Sequence, residues 1–347
     1  MSQLRYDPIQ GRWVIIAADR SRRPRDLQVT ASSSGGPLYC PFCPGHESRT
    51  PPEILALGRP AGGRRDGPGW RVRVFPNKYP ALVVEGELGR HGVGIYDAMH
   101  GIGAHEVIVD TDQHVLGLAE LPAAQVELLM QAAAERMRDL HRDRRLKYVQ
   151  FFKNHGAIAG STLTHPHSQI IATPVIPRLV IAELNQARTH YQRKERCLFC
   201  DVLQEELERG ERIVCETGRF VAFAPWASRF PFEIMILPRR HGSDYGTVSA
   251  EDLADLGACL GEVARRLRAV LLDAPFNLLL HTAPNAEAFG SERGLWKTLL
   301  WDYHWHLELL PRLTQVAGFE AGTDFYINPV APEEAARFLR EAEVERP

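Results

Sequence analysis

Apolar positions recur at two distinct periods along this chain, and the switches between them mark out its elements. Alternating or short continuous apolar runs predict strands at residues 13–17, 71–75, 81–84, 105–110, 149–152 and 165–173. The same signal returns at 220–223, 232–236, 276–280 and 304–308. Two stretches carry the 3.6-residue period of a helix instead. One has Pro122 in its first turn and sets Val126, Leu129, Met130, Ala133, Met137 and Leu140 on one face. It closes with His141 and Arg142, where positive charge suits the helix dipole. The other opens with a Ser249/Asp252 capping box and aligns Leu253, Leu256, Leu260, Val263, Leu267 and Val270.

These signals come twice in the same order. Cys40-x-x-Cys43 is echoed by Cys197-x-x-Cys200, at an offset of 157. Glu106 aligns with Glu233 and His114 with His241, both at an offset of 127. His165-x-His167 is matched by His304-x-His306 at 139. The chain therefore reads as an α+β fold, a tandem duplication of one unit made of an antiparallel sheet with helices. The expected division is residues 1–185 and 186–347, in the proline-marked stretch around 175–195.

Composition narrows the setting. At 347 residues with 44% apolar content, the chain can build two substantial cores. A formal charge of −2 argues against bulk electrostatic binding to nucleic acid or an anionic membrane. No apolar run reaches the length of a membrane span, and the first residues have no signal-peptide core, so a cytoplasmic location is expected. In that compartment the six cysteines read as metal ligands or buried thiols rather than disulfides.

The repeat groups the candidate ligands. A structural zinc site takes four nitrogen or sulfur ligands. The first half offers Cys40, Cys43, His114 and His165; the second offers Cys197, Cys200, His241 and His304. Two zinc ions, one per half, are expected. The remaining histidines, His105 and His281 among them, read as solvated or packed.

With His165 on a metal, His167 is left free. In an extended strand His165, His167 and Gln169 share one face, beside the small-residue loop 154–162. A free imidazole next to a metal-held neighbour is a candidate nucleophile; the alternative is a core histidine capping a carbonyl. Ser161, Thr162 and the backbone at Gly160 offer donors to a phosphate, as does Gln169. The basic cluster at Arg20, Arg22, Arg23 and Arg25 is either a phosphate clamp or a solvated loop. In the second half His306 is followed by Leu307-Glu308, and no Gly-Ser-Thr loop precedes it. That half is expected to be catalytically degenerate.

The His165-Pro166-His167-Ser168-Gln169 stretch, with Asn154-x-Gly156-Ala157 and Gly160-Ser161 before it, resembles the active-site signature of the galactose-1-phosphate uridylyltransferase family. These enzymes are a two-half branch of the histidine-triad superfamily. The likeness extends over Asp7-Pro8-x-x-Gly11-x-Trp13-Val14, Asn77-x-Tyr79-Pro80 and Gly318-Phe319-Glu320. It implies ping-pong transfer of a uridylyl group from UDP-glucose to galactose-1-phosphate through a uridylyl-histidine at His167. It further implies phosphoryl contacts from Gln169, Ser161 and Thr162, and Arg20 and Arg23 near the phosphates. Asn77 and Asn154 would line the nucleotide site, and Phe319 and Glu320 would reach the hexose across a homodimer interface. Two departures resemble a sister group containing an ADP-glucose phosphorylase, which passes an adenylyl group to phosphate. One is Cys197-x-x-Cys200, where better-known members carry a glutamate/histidine metal site. The other is Thr323-Asp324-Phe325 in place of a Gln-Arg-Asp segment. A reading of another class is a non-catalytic zinc-stabilised nucleotide-binding scaffold.

Overall fold

The computed structural model describes residues 2–18, 40–114, 117–289 and 296–344. In the first half the strands are Gln3–Asp7 (β1), Arg12–Ile16 (β2), Leu55–Leu57 (β3), Val72–Pro76 (β4), His91–Val93 (β5), Tyr96–Ala98 (β6) and Ala104–Val109 (β7). Helix α1 (Ala123–Leu140) leads into Tyr148–His155 (β8) and His167–Thr173 (β9). Helices α2 (Arg178–Lys194) and α3 (Leu198–Arg209) precede Ile213–Glu216 (β10), Phe220–Phe223 (β11) and Ile234–Pro238 (β12). Then come α4 (Ala250–Leu271), β13 (Phe276–His281), α5 (Leu299–Asp302), β14 (His306–Pro311), α6 (Gly318–Thr323), β15 (Tyr326–Asn328) and α7 (Pro332–Glu341).

Ten of these strands form one antiparallel sheet in the order β10-β11-β12-β14-β13-β8-β9-β7-β4-β3. The two halves are mirror-ordered about the β13–β8 seam, where Phe276 pairs with His155 and Leu280 with Phe151. Helices α1 and α4 cover one face of the sheet. Their periodic residues Val126, Leu129, Met130, Leu256, Leu260 and Val263 are fully buried in one cluster with Phe151, Ile170, Leu278 and Leu307. Ser249 and Asp252 form the expected reciprocal cap on α4. The opposite face of the sheet carries the polar side chains that concern function.

Three expectations are corrected. Residues 81–84 make only an isolated bridge, Val83 to Ile102. Tyr79, Val83 and Val84 are exposed, so no apolar face repays strand formation there. The strand expected at 165–173 starts at His167, because Pro166 has no N–H for a ladder and turns His165 out of the pleat. The repeat register on β7 and β12 is 128 rather than 127. Val107 pairs with Gln169 as Met235 pairs with Glu308. A one-residue slip reverses the face, so Glu106 and Glu233 are not equivalent. Glu106 meets Arg136 of α1, whereas Glu233 meets Arg229.

Helix α2 runs across the expected 185/186 division. Its Val180, Leu184 and Ala187 pack on the polar-bearing face of the second half, together with Phe199 and Leu203 of α3. The chain start lies there too. β2 pairs with β1 and, in parallel, with β15, and Ile9 belongs to the same cluster.

Candidate functional site

Cys40 and Cys43 sit on a turn below the β9 entrance, facing His114 from the loop after β7 and His165 from the turn before β9. Sγ of Cys43 lies 3.4 Å from His114 Nδ1 and 3.5 Å from His165 Nδ1; Cys40 Sγ lies 3.6 Å from His165 Nδ1. Each ring is held by its far nitrogen. His165 Nε2–H donates to the Thr111 carbonyl at 2.9 Å, and His114 Nε2 meets Thr164 Oγ1 at 3.0 Å. Zn–S bonds of about 2.3 Å and Zn–N bonds of about 2.0–2.1 Å at tetrahedral angles put sulfur and nitrogen about 3.5 Å apart. The donor set fits that geometry. Anchoring of the far nitrogen is also what a ligating imidazole needs. Burial lowers His165 to about 4, which keeps it neutral and able to ligate.

The second half repeats the group. Cys200 Sγ is 3.5 Å from His241 Nδ1 and 3.6 Å from His304 Nδ1, and all four ligand atoms, with Cys197, lie within 4.8 Å of one another. Here the cysteines open a helix, Cys197 standing at the N-cap of α3. Both sets of four residues grouped from the repeat are thus brought together, and each could hold a metal ion.

His167 faces away from the metal group into a cavity of about 300 Å³. Its Nδ1–H donates to the His165 carbonyl at 2.9 Å, which leaves the Nε2 lone pair free. Burial pushes its pKa below the ordinary histidine value, with the Lys153 ammonium adding to the shift, so the ring is a neutral base. Gln169, Thr162 and Asn77 line the same cavity, with Phe42, Phe75 and Val107 as its apolar wall. His105, expected to be merely packed or solvated, orients Gln169. Its Nδ1 accepts the Ala81 N–H at 3.1 Å, so its Nε2–H donates to Gln169 Oε1 at 2.8 Å. The Gln169 NH₂ group is left to donate toward the cavity. No local sequence signal marks this role, because Val107, two residues on along the same face of β7, meets Gln169 only through the β7–β9 pairing.

Behind His167, Lys153 Nζ meets Asp110 Oδ2 at 2.7 Å and the His167 carbonyl at 3.2 Å, and all of this is buried. Lys153→Met strands the Asp110 carboxylate and is expected to cost about 3–5 kcal/mol, read as a lower denaturation midpoint in urea. Adding Asp110→Asn should restore part of that loss.

The loop before β9 is anchored from the second half. Asn277 Nδ2 donates to Asn154 Oδ1 at 2.8 Å and to the Ala159 carbonyl at 2.9 Å, and Arg312 holds Asn277 Oδ1. Gly160 has φ of +95°, and a Cβ there would stand 3.3 Å from Asn154 Nδ2, so a side chain is disfavoured twice. Ser161 Oγ donates to the Leu163 carbonyl rather than into the cavity. Phe319 and Glu320 lie on α6, where Glu320 caps its own helix at Ala317 N–H. They do not line the His167 cavity of the same chain. Arg20 and Arg23 fall outside the described residues.

In the second half the residue equivalent to His167 is sealed. His306 is fully buried and stacks on His281, ring centres 4.7 Å apart. Although burial opposes its charge, His281 is held protonated to about 10 by Glu183 at 2.9 Å and Glu308 at 3.5 Å. Burial, then the His281 cation, takes His306 down to about 4. Glu308, standing where the first half has Gln169, would repel a phosphate. Glu183, His281 and His306 form a third close group, in which only His306 has a histidine counterpart, His167, in the first half.

Two Cys₂His₂ groups and one open histidine on a seamed double sheet define a duplicated histidine-triad-like protein. The chain belongs to the galactose-1-phosphate uridyl transferase family of nucleotidyltransferases. Residues 63–177 match the family's N-terminal domain and residues 183–342 its C-terminal domain. It is 32% identical to an ADP-glucose phosphorylase of Arabidopsis thaliana, over 98% of this chain and 92% of that one. Identity is also 32% to a galactose-1-phosphate uridylyltransferase of Thermotoga maritima, over 99% and 100%. The crystal structure of an Arabidopsis thaliana ADP-glucose phosphorylase with bound ADP-glucose superposes with a TM-score of 0.83 at 30% identity, covering 99% of this chain and 100% of that one. A uridylyltransferase structure gives 0.72 at 29%, covering 98% and 97%. Among the described residues no helix is long and apolar enough to cross a membrane.

Proposed function

We propose that the protein transfers a uridylyl group from UDP-glucose to a hexose-1-phosphate, galactose-1-phosphate above all, through a covalent intermediate on His167. The observation that carries this is the unprotonated, unpartnered Nε2 of His167 in a cavity lined by the donors Gln169 and Thr162. Nε2 attacks the α-phosphorus, the bond to the glucose-1-phosphate oxygen breaks, and a phosphoramidate forms. A phosphate oxygen of the acceptor then attacks the same phosphorus and releases the imidazole. Gln169 donates to the non-bridging oxygens as their charge grows. Asn77 and Asn154 border the nucleotide. Cys40, Cys43, His114 and His165 would hold a zinc ion that would fix His165, hence the position of His167 two residues on. Cys197, Cys200, His241 and His304 would hold a second one in a scaffold role. Arg20 and Arg23 approach the phosphates, and Phe319 and Glu320 reach the hexose across the interface of a homodimer, a state that sedimentation analysis would check. The first catalytic unit spans residues 1–185 and the degenerate one 186–347.

A second reading, adenylyl transfer from ADP-glucose to phosphate, is favoured by the closer superposition on the ADP-glucose phosphorylase and by the Cys197/Cys200 pair. One experiment separates them. Intact-mass measurement after mixing with UDP-glucose or ADP-glucose shows which nucleotidyl group is retained, and adding galactose-1-phosphate or phosphate shows which acceptor removes it. No adduct from either donor would sink both.

Asn277→Ala tests the anchoring of Asn154. Loss of two hydrogen bonds to the Asn154 side chain and the loop is expected to lower kcat/KM about tenfold in steady-state assays, with the zinc content unchanged.

A further inference from the structure

The segment Pro238-Arg239-Arg240-His241-Gly242 leaves β12 beside a pocket of about 120 Å³ that the transfer reaction does not use. Its lining is rich in donors. Trp305 is 95% buried, at 5% exposure, and its indole N–H has no acceptor among the described residues, although the ring borders the pocket. The backbone N–H groups of Arg240, His241 and Gly242 likewise donate to no described group. Three guanidinium groups line the same space. Arg219 is balanced by Asp252 at 2.7 Å and Arg239 by Glu216, whereas Arg240 has no ion pair among the described residues. The pocket also abuts the first turn of the 22-residue helix α4, where the Asp252 carboxylate caps the helix and pairs with Arg219.

The first half shows that the metal group does not require these features. Its equivalent segment reads Thr111-Asp112-Gln113-His114, acidic where the second half is basic. There Gln113 N–H is satisfied by Thr111 Oγ1 at 3.2 Å. Pro166 takes the place of Trp305 and has no indole to offer. Three arginines beside the single carboxylate of Asp252 make this pocket cationic, a balance peculiar to the second half, and Trp305 brings to it an indole N–H that no described residue accepts.

We propose that this pocket binds a small tetrahedral oxyanion, either free phosphate or the terminal phosphate of a nucleotide. Arg240 supplies the unbalanced charge, and Trp305 Nε1 and the 240–242 amides supply the hydrogen bonds, as in other backbone nests for anions. The site is separate from His167 and does not depend on which donor the enzyme uses.

Six tryptophans give six indole N–H signals in a nitrogen-15 correlation spectrum of the intact protein, and Trp305→Phe identifies the relevant one. Phosphate and sulfate should each move the Trp305 signal to saturation, while chloride at matched ionic strength leaves it in place. Arg240→Ala changes an exposed side chain, so folding is kept, and should weaken phosphate binding about tenfold. If ADP or UDP saturates the signal below the phosphate concentration needed, the nucleotide phosphate is the natural occupant; if phosphate saturates first, the free anion is. An unmoved signal, an equal response to chloride, or an unchanged titration in Arg240→Ala would overturn the proposal.

Discussion

His167→Asn should retain no nucleotide after mixing with either sugar nucleotide, and its turnover should fall by at least about 10⁴-fold. Asparagine keeps a donor for the His165 carbonyl and is smaller than histidine, so nothing forces the strand to shift. What it loses is the Nε2 lone pair proposed to attack phosphorus. The second half offers no substitute, because His306 is fully buried against His281 and has Glu308 beside it where a phosphate would meet Gln169 in the first half. Intact mass reads the covalent step separately from release. An adduct that persists in His167→Asn would move the nucleophile elsewhere, and catalysis without any adduct in the parent protein would replace double displacement with direct transfer.

Cys43→Ser carries the largest expected effect on stability. Metal analysis of the purified protein should fall from two zinc ions per chain to one, and the melting temperature should drop steeply. Metal binding at such sites is folding free energy, on the order of 10 kcal/mol in isolated zinc-finger peptides. Cys43 Sγ faces both His114 and His165, so its loss frees a turn, the loop after β7 and the entrance to β9 together. Cys215→Ser, outside both ligand groups, is the control and should keep two ions. Two ions retained by Cys43→Ser would remove the first Cys₂His₂ group as a metal site.

Much of the site was legible because its chemistry is repeated. Cysteine pairs and His-x-His strands are rare enough that a second copy groups the ligands without coordinates, and the structure brings both sets together. The core helices were legible because α1 and α4 bury one continuous stripe. Helix α2 was not. Glu183 interrupts its apolar face, and only the structure shows that carboxylate turned inward to Tyr303 and His281. His105 and Asn277 were missed for a related reason. Each acts on a residue far away in sequence, Gln169 or Asn154, and pairing across strands leaves no local trace. The slipped register on β12 had a different origin, since matching glutamates suggested an alignment that the hydrogen-bond ladder does not allow.

The β8–β13 seam makes the two halves one continuous sheet inside one chain. Two identical chains meeting across such a seam would obey a strict twofold axis, and every substitution would appear on both sides at once. Covalent fusion lifts that constraint. A glutamate in place of Gln169 would disable both catalytic centres of a symmetric pair, yet here Glu308 occupies one side while Gln169 keeps the other. The same freedom lets Asn277 on one side serve as a prop for Asn154 on the other. The half that carries His167 is thus braced by a partner that can never dissociate, at a fixed ratio of one to one.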